Sequence, residues 1–281
     1  MFEIRPLSDA LGAEVIGLDL SAPLDDETFA VVHKAHLDHM VLVFRDQQLT
    51  PAQHIAFSKR FGDLSDHVFD QFLLPGHPEI LKVSNKKRED GEFAGLPQAG
   101  RRWHSDLSYT DTPSLGSLLY ALEIPPVGGD TLFNNMYRAY ETLPDQTKTM
   151  IDGKKAEYLS GSARNFYSTD ERPALTPEQL AKVPPAHHPI VRTHPETGRK
   201  ALYANKAHTV RILDMDEAES EALLAEVTEH SVQPEFVYRH KWRLHDLVFW
   251  DNRCCMHIAE PPPPEYGRHM HRTTVVGDRP F

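Results

Sequence analysis

Leu247-Val248-Phe249-Trp250-Asp251-Asn252-Arg253-Cys254-Cys255-Met256-His257 opens on an unbroken apolar run and closes on an imidazole. A short run this rich in aromatic and β-branched side chains reads as a strand buried on both faces. Similar runs recur on either side of it. Ser117-Leu118-Leu119-Tyr120-Ala121-Leu122 is apolar, Phe236-Val237-Tyr238-Arg239-His240-Lys241-Trp242 alternates, and Thr273-Thr274-Val275-Val276 is β-rich. Proline and glycine punctuate the gaps, as in Pro125-Pro126-Val127-Gly128-Gly129. Many short strands with a few helices between them predict a mainly β fold: a sandwich or, more specifically, a double-stranded β-helix (jelly-roll) core decorated by α-helices.

The amino-terminal part mixes both elements. Ala13-Glu14-Val15-Ile16 and Val41-Leu42-Val43-Phe44 read as strands. Thr50-Pro51-Ala52-Gln53 carries a cap, a proline at the first helical position and a glutamine at the third, so a helix is expected from there to Phe61, ending at Gly62. A second helix is expected over Ala218–Glu229, capped by Asp214 with Glu217 three residues on, and a third around Ala139–Met150. Pro261-Pro262-Pro263-Pro264 reads as a stiff extended loop. No repeat or linker divides the chain, so residues 1–281 are read as a single domain.

The 281 residues are 40% hydrophobic and 25% charged, enough to bury a full core. Lys and Arg number 30 against 41 Asp and Glu, a formal net charge of -11. Such a chain repels nucleic acid and anionic lipid, so neither is an expected partner. An anionic substrate would need local arginines to overcome that field. Cys254 and Cys255 are the only cysteines, and neighbours rarely bridge each other. With no apolar segment after Met1-Phe2-Glu3-Ile4-Arg5 and no run of about 20 apolar residues, a cytoplasmic protein without a membrane span is expected.

Trp103-His104-Ser105-Asp106 and His257 together offer two imidazoles and a carboxylate. That is the ligand set of a non-haem Fe(II) oxygenase, which fills one face of the metal and leaves the other open. His104 and Asp106 stand two apart, so one strand end could point both at the same ion. Spacing alone is weak. Among 17 histidines such neighbours arise by chance, as in Asp38-His39 and His245-Asp246, and a solvated or core-satisfied pair is the ordinary outcome.

Further motifs add context: Leu11-Gly12-Ala13-Glu14-Val15-Ile16-Gly17-Leu18-Asp19-Leu20, Val43-Phe44-Arg45-Asp46-Gln47, Gly128-Gly129-Asp130-Thr131, Pro189-Ile190-Val191-Arg192-Thr193-His194-Pro195 and His271-Arg272-Thr273-Thr274. With these, nearly the whole chain resembles the taurine dioxygenase/2,4-dichlorophenoxyacetate dioxygenase family of Fe(II)- and 2-oxoglutarate-dependent oxygenases. The resemblance implies that His104, Asp106 and His257 are the iron ligands. It implies that Thr131 and Arg268 bind the distal carboxylate of 2-oxoglutarate. Arg272 and His67, in Gly62-Asp63-Leu64-Ser65-Asp66-His67, would hold an anionic substrate. Chemistry agrees: an arginine fork donates two parallel hydrogen bonds to a carboxylate, and a threonine hydroxyl can add a third. Arg268 and Arg272 share strand parity, which would turn both inward. Trp103 and Trp250 read as packing residues, and Asn252 as a tie on the turn before His257.

The implied activity is hydroxylation of an unactivated C–H of a small organic acid, with 2-oxoglutarate and O2 as co-substrates and release of succinate and CO2. The acid would be a sulfonate, a sulfate ester or an aryloxy or alkyl carboxylate, and the hydroxylated product could then collapse. Taurine itself fits poorly. Gly100 stands where the taurine enzymes have an asparagine, Tyr203-Ala204-Asn205-Lys206-Ala207 leads to His208 rather than to an aromatic, and Ser160-Gly161-Ser162-Ala163-Arg164-Asn165-Phe166 has no clear match. Family members are often dimers or tetramers, so a homo-oligomer is expected. Two other readings keep the fold: a metal-dependent hydrolase or isomerase, since two His and an Asp also suit water activation, and a non-enzymatic acid-binding barrel. The Thr131/Arg268 pair discriminates against the first, and the complete ligand set against the second.

Overall fold

The computed structural model of the protein describes residues 2–65, 67–160 and 175–281. The segment 161–166 singled out above lies outside them. The predominantly β architecture is as expected. Its largest sheet has eight strands. In spatial order they are Glu3–Pro6, Ala13–Ile16, Val41–Phe44, Leu247–Asp251, Ser114–Glu123, His269–Val276, His77–Ser84 and Leu73–Leu74. A smaller sheet pairs Thr131–Asn135 with Val237–His240 on one side and Cys255–Ala259 on the other. Chain-distant strands are thus spatial neighbours, as a jelly-roll requires.

The unbroken apolar run 247–250 has a direct physical reason. Val248 and Trp250 join Leu119 and Ala121 in the core cluster that also holds Phe133, Tyr238 and Met256 of the smaller sheet. Leu247 and Phe249 turn the other way, with Leu118 and Tyr120, onto a second cluster with Val32, Ala35 and Phe57. Both faces of the strand are therefore covered, and burying each large side chain contributes about 1.5–3 kcal/mol. Gly116 is required beside it. A Cβ there would come within 2.6 Å of the Trp250 carbonyl oxygen and 2.7 Å of the Phe249 ring.

The helix Pro51–Ser58 has the expected capping box between Thr50 and Gln53 but ends sooner than Phe61, passing into a turn before Gly62. Asp216, not Asp214, caps the helix Glu217–His230; Asp214 lies outside it in the left-handed region at φ 56°. The helix expected around residues 139–150 is two, Met136–Glu141 and Asp145–Ile151, broken at Pro144, which cannot continue the first. The helix Asp26–His39 escaped the pattern because it buries only Val32, Ala35 and His36. No helix among the described residues is long and apolar enough to cross a membrane.

His36 stacks flat on Phe249 with ring centroids 3.8 Å apart. Burial pushes its imidazole from 6.5 down to about 3, and burial does the same to His54. Both stay neutral in the fold but charge in the unfolded chain. Stability is therefore complete above the unfolded pKa and is lost as pH falls from about 6.5 towards 3, at up to about 1.4 kcal/mol per pH unit for each. Urea unfolding across this range should show that slope, and His36→Phe should reduce it by one proton. An unchanged slope in the variant would refute the assignment.

Candidate active site

His257 lies on the strand Cys255–Ala259, and the chain carrying His104 docks on that strand's outer edge. The two residues form an isolated antiparallel bridge, with His104 N–H donating to His257 O at 3.1 Å and His257 N–H donating to His104 O at 2.8 Å. The expected strand end carrying both His104 and Asp106 is not what forms. Pairing stops after one residue, and Asp106 sits in the following turn, ahead of Leu107 at φ 56°. Two bonds hold that turn: Ser105 Oγ donates to Cys255 O at 2.8 Å, and Asp106 N–H donates to Asn252 Oδ1 at 3.1 Å.

The three side chains nonetheless converge, and their ligand atoms all lie within 4.8 Å of one another. His104 Nε2 is 3.6 Å from Asp106 Oδ1, and His257 Nε2 is 3.9 Å from Asp106 Oδ2. Two ligands held about 2.1 Å from one ion at roughly right angles stand about 3 Å apart, so a small inward shift would seat a metal. Protonation also fits. His104 Nδ1 faces two carbonyls, Arg102 O at 2.8 Å and His257 O at 3.0 Å. A carbonyl only accepts, so Nδ1 carries the hydrogen and Nε2 keeps its lone pair for the ion. Burial, then His104 and Arg272, holds His257 neutral by lowering its pKa well below the ordinary value. Burial would raise the Asp106 carboxyl, but Arg272 foremost, with His257 and His104, outweighs it and keeps the group well below the usual carboxylate range.

Asp106 is held by its surroundings. Ser117 Oγ donates to Oδ2 at 2.7 Å, and Arg272 Nη1 donates to Oδ1 at 3.0 Å. Asn252 does more than tie its own turn. Its Nδ2 donates to Ser114 Oγ at 2.6 Å and Ser117 Oγ at 3.2 Å, while its Oδ1 accepts from Trp250 Nε1 at 3.0 Å as well as from the Asp106 backbone. Ser117 was missed in sequence; the signal available was a hydroxyl at the head of an apolar run. Asn252→Ala should weaken Fe(II) binding by about 10–100-fold, as loss of outer-shell support does. Anaerobic metal titration would measure this, and wild-type affinity would refute it.

Arg268 and Thr131 form a second group. Arg268 is 8% exposed, its Nε has no hydrogen-bond partner, and among the described residues it forms no ion pair. Burial first, then the nearby Arg101, lowers its pKa to about 10. It lines a cavity of about 30 Å³ with Ser84, Asn85, Gln98 and Arg101. Its guanidinium carbon lies 5.8 Å from the Trp242 ring centroid, and Trp242 Nε1 donates to Thr131 Oγ1 at 3.0 Å. Trp242 was read only as part of an alternating strand; nothing in the sequence marked its contact with both residues.

Arg268 and Arg272 do not share strand parity. Arg268 precedes the strand His269–Val276, and a register shift between His269 and Met270 interrupts the alternation. Both side chains are buried all the same, but Arg272 contacts Asp106 and Arg268 contacts Trp242. His67 follows Ser65, whose N–H donates to Thr274 O at 2.8 Å, so its segment runs along the strand bearing Arg272. Its ring stacks on Phe69 at 5.6 Å, and its Nδ1 accepts from Phe69 N–H at 3.2 Å. A second cluster, His194, Asp251 and Cys254, also brings its ligand atoms within 4.8 Å of one another. Arg253 Nε and Nη2 already take both Asp251 oxygens, at 2.9 and 2.7 Å, so a buried ion pair occupies that place.

Sequence and structure comparisons converge on one class. The profile of the Taurine catabolism dioxygenase TauD, TfdA family matches residues 3–274. The alpha-ketoglutarate-dependent 2,4-dichlorophenoxyacetate dioxygenase of Cupriavidus pinatubonensis is 34% identical over 98% of this chain and 97% of its own. An alkylsulfatase of Acinetobacter baylyi is 32% identical over 98% of this chain and 85% of its own. The crystal structure of AAD-2 in complex with Mn(II) and N-oxalylglycine superposes with a TM-score of 0.84 at 36% identity, covering 100% of this chain and 99% of that one. The protein belongs to the TauD/TfdA family and is an Fe(II)- and 2-oxoglutarate-dependent dioxygenase.

Proposed function

We propose that His104, Asp106 and His257 hold the Fe(II), that Arg268 and Thr131 bind the distal carboxylate of 2-oxoglutarate, and that the substrate is a small organic acid anchored by Arg272 with help from His67. The observation that carries this reading is Arg268. A buried guanidinium without a carboxylate, on a cavity also lined by Ala259 of the strand that bears His257, is costly unless an anion completes it. Iron, when bound with 2-oxoglutarate and O2, supplies the oxidising power for C–H hydroxylation, with succinate and CO2 as by-products.

The chain's own residues do the positioning. Ser117 and Arg272 fix the Asp106 carboxylate, and the two carbonyls facing His104 fix its tautomer. Arg272 gives one nitrogen to Asp106 and leaves its Nε unpaired, so part of its fork remains for an acid near the ion. An anion held there places one C–H and excludes others. Aryloxyacetates and alkyl sulfates are the leading candidates, because relatives named for a 2,4-dichlorophenoxyacetate dioxygenase and an alkylsulfatase match nearly the whole chain.

Residues 1–281 are proposed to act as one domain, since the eight-stranded sheet draws strands from Glu3–Pro6 to His269–Val276. A cytoplasmic location and a homo-oligomer, dimer or tetramer, complete the proposal; the first is supported by the absence of any membrane-length apolar helix among the described residues. The test is substrate-triggered succinate formation across alkylsulfonates, alkyl sulfates and aryloxyacids, with neutral and cationic analogues alongside. Turnover confined to neutral or cationic compounds would overturn the assignment of Arg272.

A further inference from the structure

We propose that Trp242 is a positioning residue for the co-substrate, aiming the Thr131 hydroxyl and the Arg268 guanidinium at one carboxylate. This rests on the reading of Thr131 and Arg268 given above. An indole N–H is a donor only, so when Trp242 Nε1 donates to Thr131 Oγ1 at 3.0 Å, the threonine oxygen acts as acceptor on that side. The threonine hydrogen is then left to be donated elsewhere, as a carboxylate requires. The same indole presents its ring to Arg268, 5.8 Å from centroid to guanidinium carbon. A ring face attracts a cation most where water is excluded, and Arg268 is buried. One side chain therefore orders both donors before the anion arrives, which lowers the entropic cost of binding.

Trp242 is itself braced. The His240 ring meets it edge-on with centroids 4.7 Å apart. His240 is fully buried and clamped between Tyr238 Oη at 3.0 Å and Asp246 Oδ2 at 3.2 Å, and Asp246 also pairs with Arg45. The bracing comes from the strand Val237–His240, which lies against Thr131–Asn135 with His240 opposite Thr131 in register.

The experiment is calorimetric titration of the Fe(II)-loaded protein with N-oxalylglycine under anaerobic conditions, for wild type, Trp242→Phe, Trp242→Leu and Arg268→Leu. Trp242→Phe keeps a ring face and removes the N–H, so its Kd should rise about fivefold, the scale of one neutral hydrogen bond. Trp242→Leu removes both and should weaken binding further. In steady state, Trp242→Phe should raise the KM for 2-oxoglutarate while leaving kcat and the KM for the organic acid near wild type. General loosening of the fold would instead move all three. Wild-type N-oxalylglycine affinity in Trp242→Phe, with Arg268→Leu defective, would overturn the role of Trp242 alone. Wild-type affinity in Arg268→Leu would overturn the co-substrate site on which it rests.

Discussion

His104→Ala is expected to abolish 2-oxoglutarate turnover while the protein remains folded. The imidazole sits at the edge of the smaller sheet, and its ring hydrogen bonds go to the carbonyls of Arg102 and His257, which water can replace. On the proposed ligand set its loss removes a direct metal ligand, so Fe(II) affinity should fall by more than the roughly 10–100-fold that loss of an outer hydrogen bond costs. Asp106→Ala should behave differently. It removes the same proposed metal site but also strips Arg272 of its carboxylate, leaving a buried cation unpaired at a cost of about 3–5 kcal/mol. Thermal unfolding of the two iron-free variants separates the cases. Equal stability would mean that the Arg272–Asp106 pair does not form in solution.

Arg268→Leu carries the second large effect, and here binding and stability should move in opposite directions. The guanidinium is buried with no ion pair among the described residues, and burial already drives its pKa down to about 10. An apolar side chain removes that desolvation penalty, so the ligand-free protein should be as stable as wild type or more so. The same change deletes a charged, fork-shaped donor from the proposed co-substrate site. The KM for 2-oxoglutarate should rise roughly a hundredfold, about 3 kcal/mol. Unfolding in the absence of 2-oxoglutarate, together with the KM, checks both halves. A destabilised variant with an unchanged KM would show that Arg268 is a structural residue.

Much of this was legible in the chain because the physics is local or strictly periodic. The run 247–250 and its neighbours announced a sheet covered on both faces, and the Thr50/Gln53 capping box announced a helix start. Candidate metal ligands are legible because few residue types can serve. The rest depends on which distant residues meet. Trp242 reaches Thr131 across 111 positions and Ser117 reaches Asp106 by way of the sheet register, neither of which spacing encodes. The parity of Arg268 and Arg272 failed because a register shift is set by strand pairing. Asp106 left the expected strand because Asn252 and Ser105 bind the turn instead.

One iron site built from His104, Asp106 and His257 is proposed to couple O2 and 2-oxoglutarate to oxidation of an organic acid. Simultaneous measurement of O2 uptake and succinate release tests it most directly, using Fe(II), 2-oxoglutarate and a panel of alkylsulfonates, alkyl sulfates and aryloxyacids. Matched O2 consumption and succinate formation are expected, stimulated by at least one acid, dependent on Fe(II) and lost in His257→Ala. Undiminished turnover in His257→Ala, or no O2 uptake and no succinate with any acid, would contradict it.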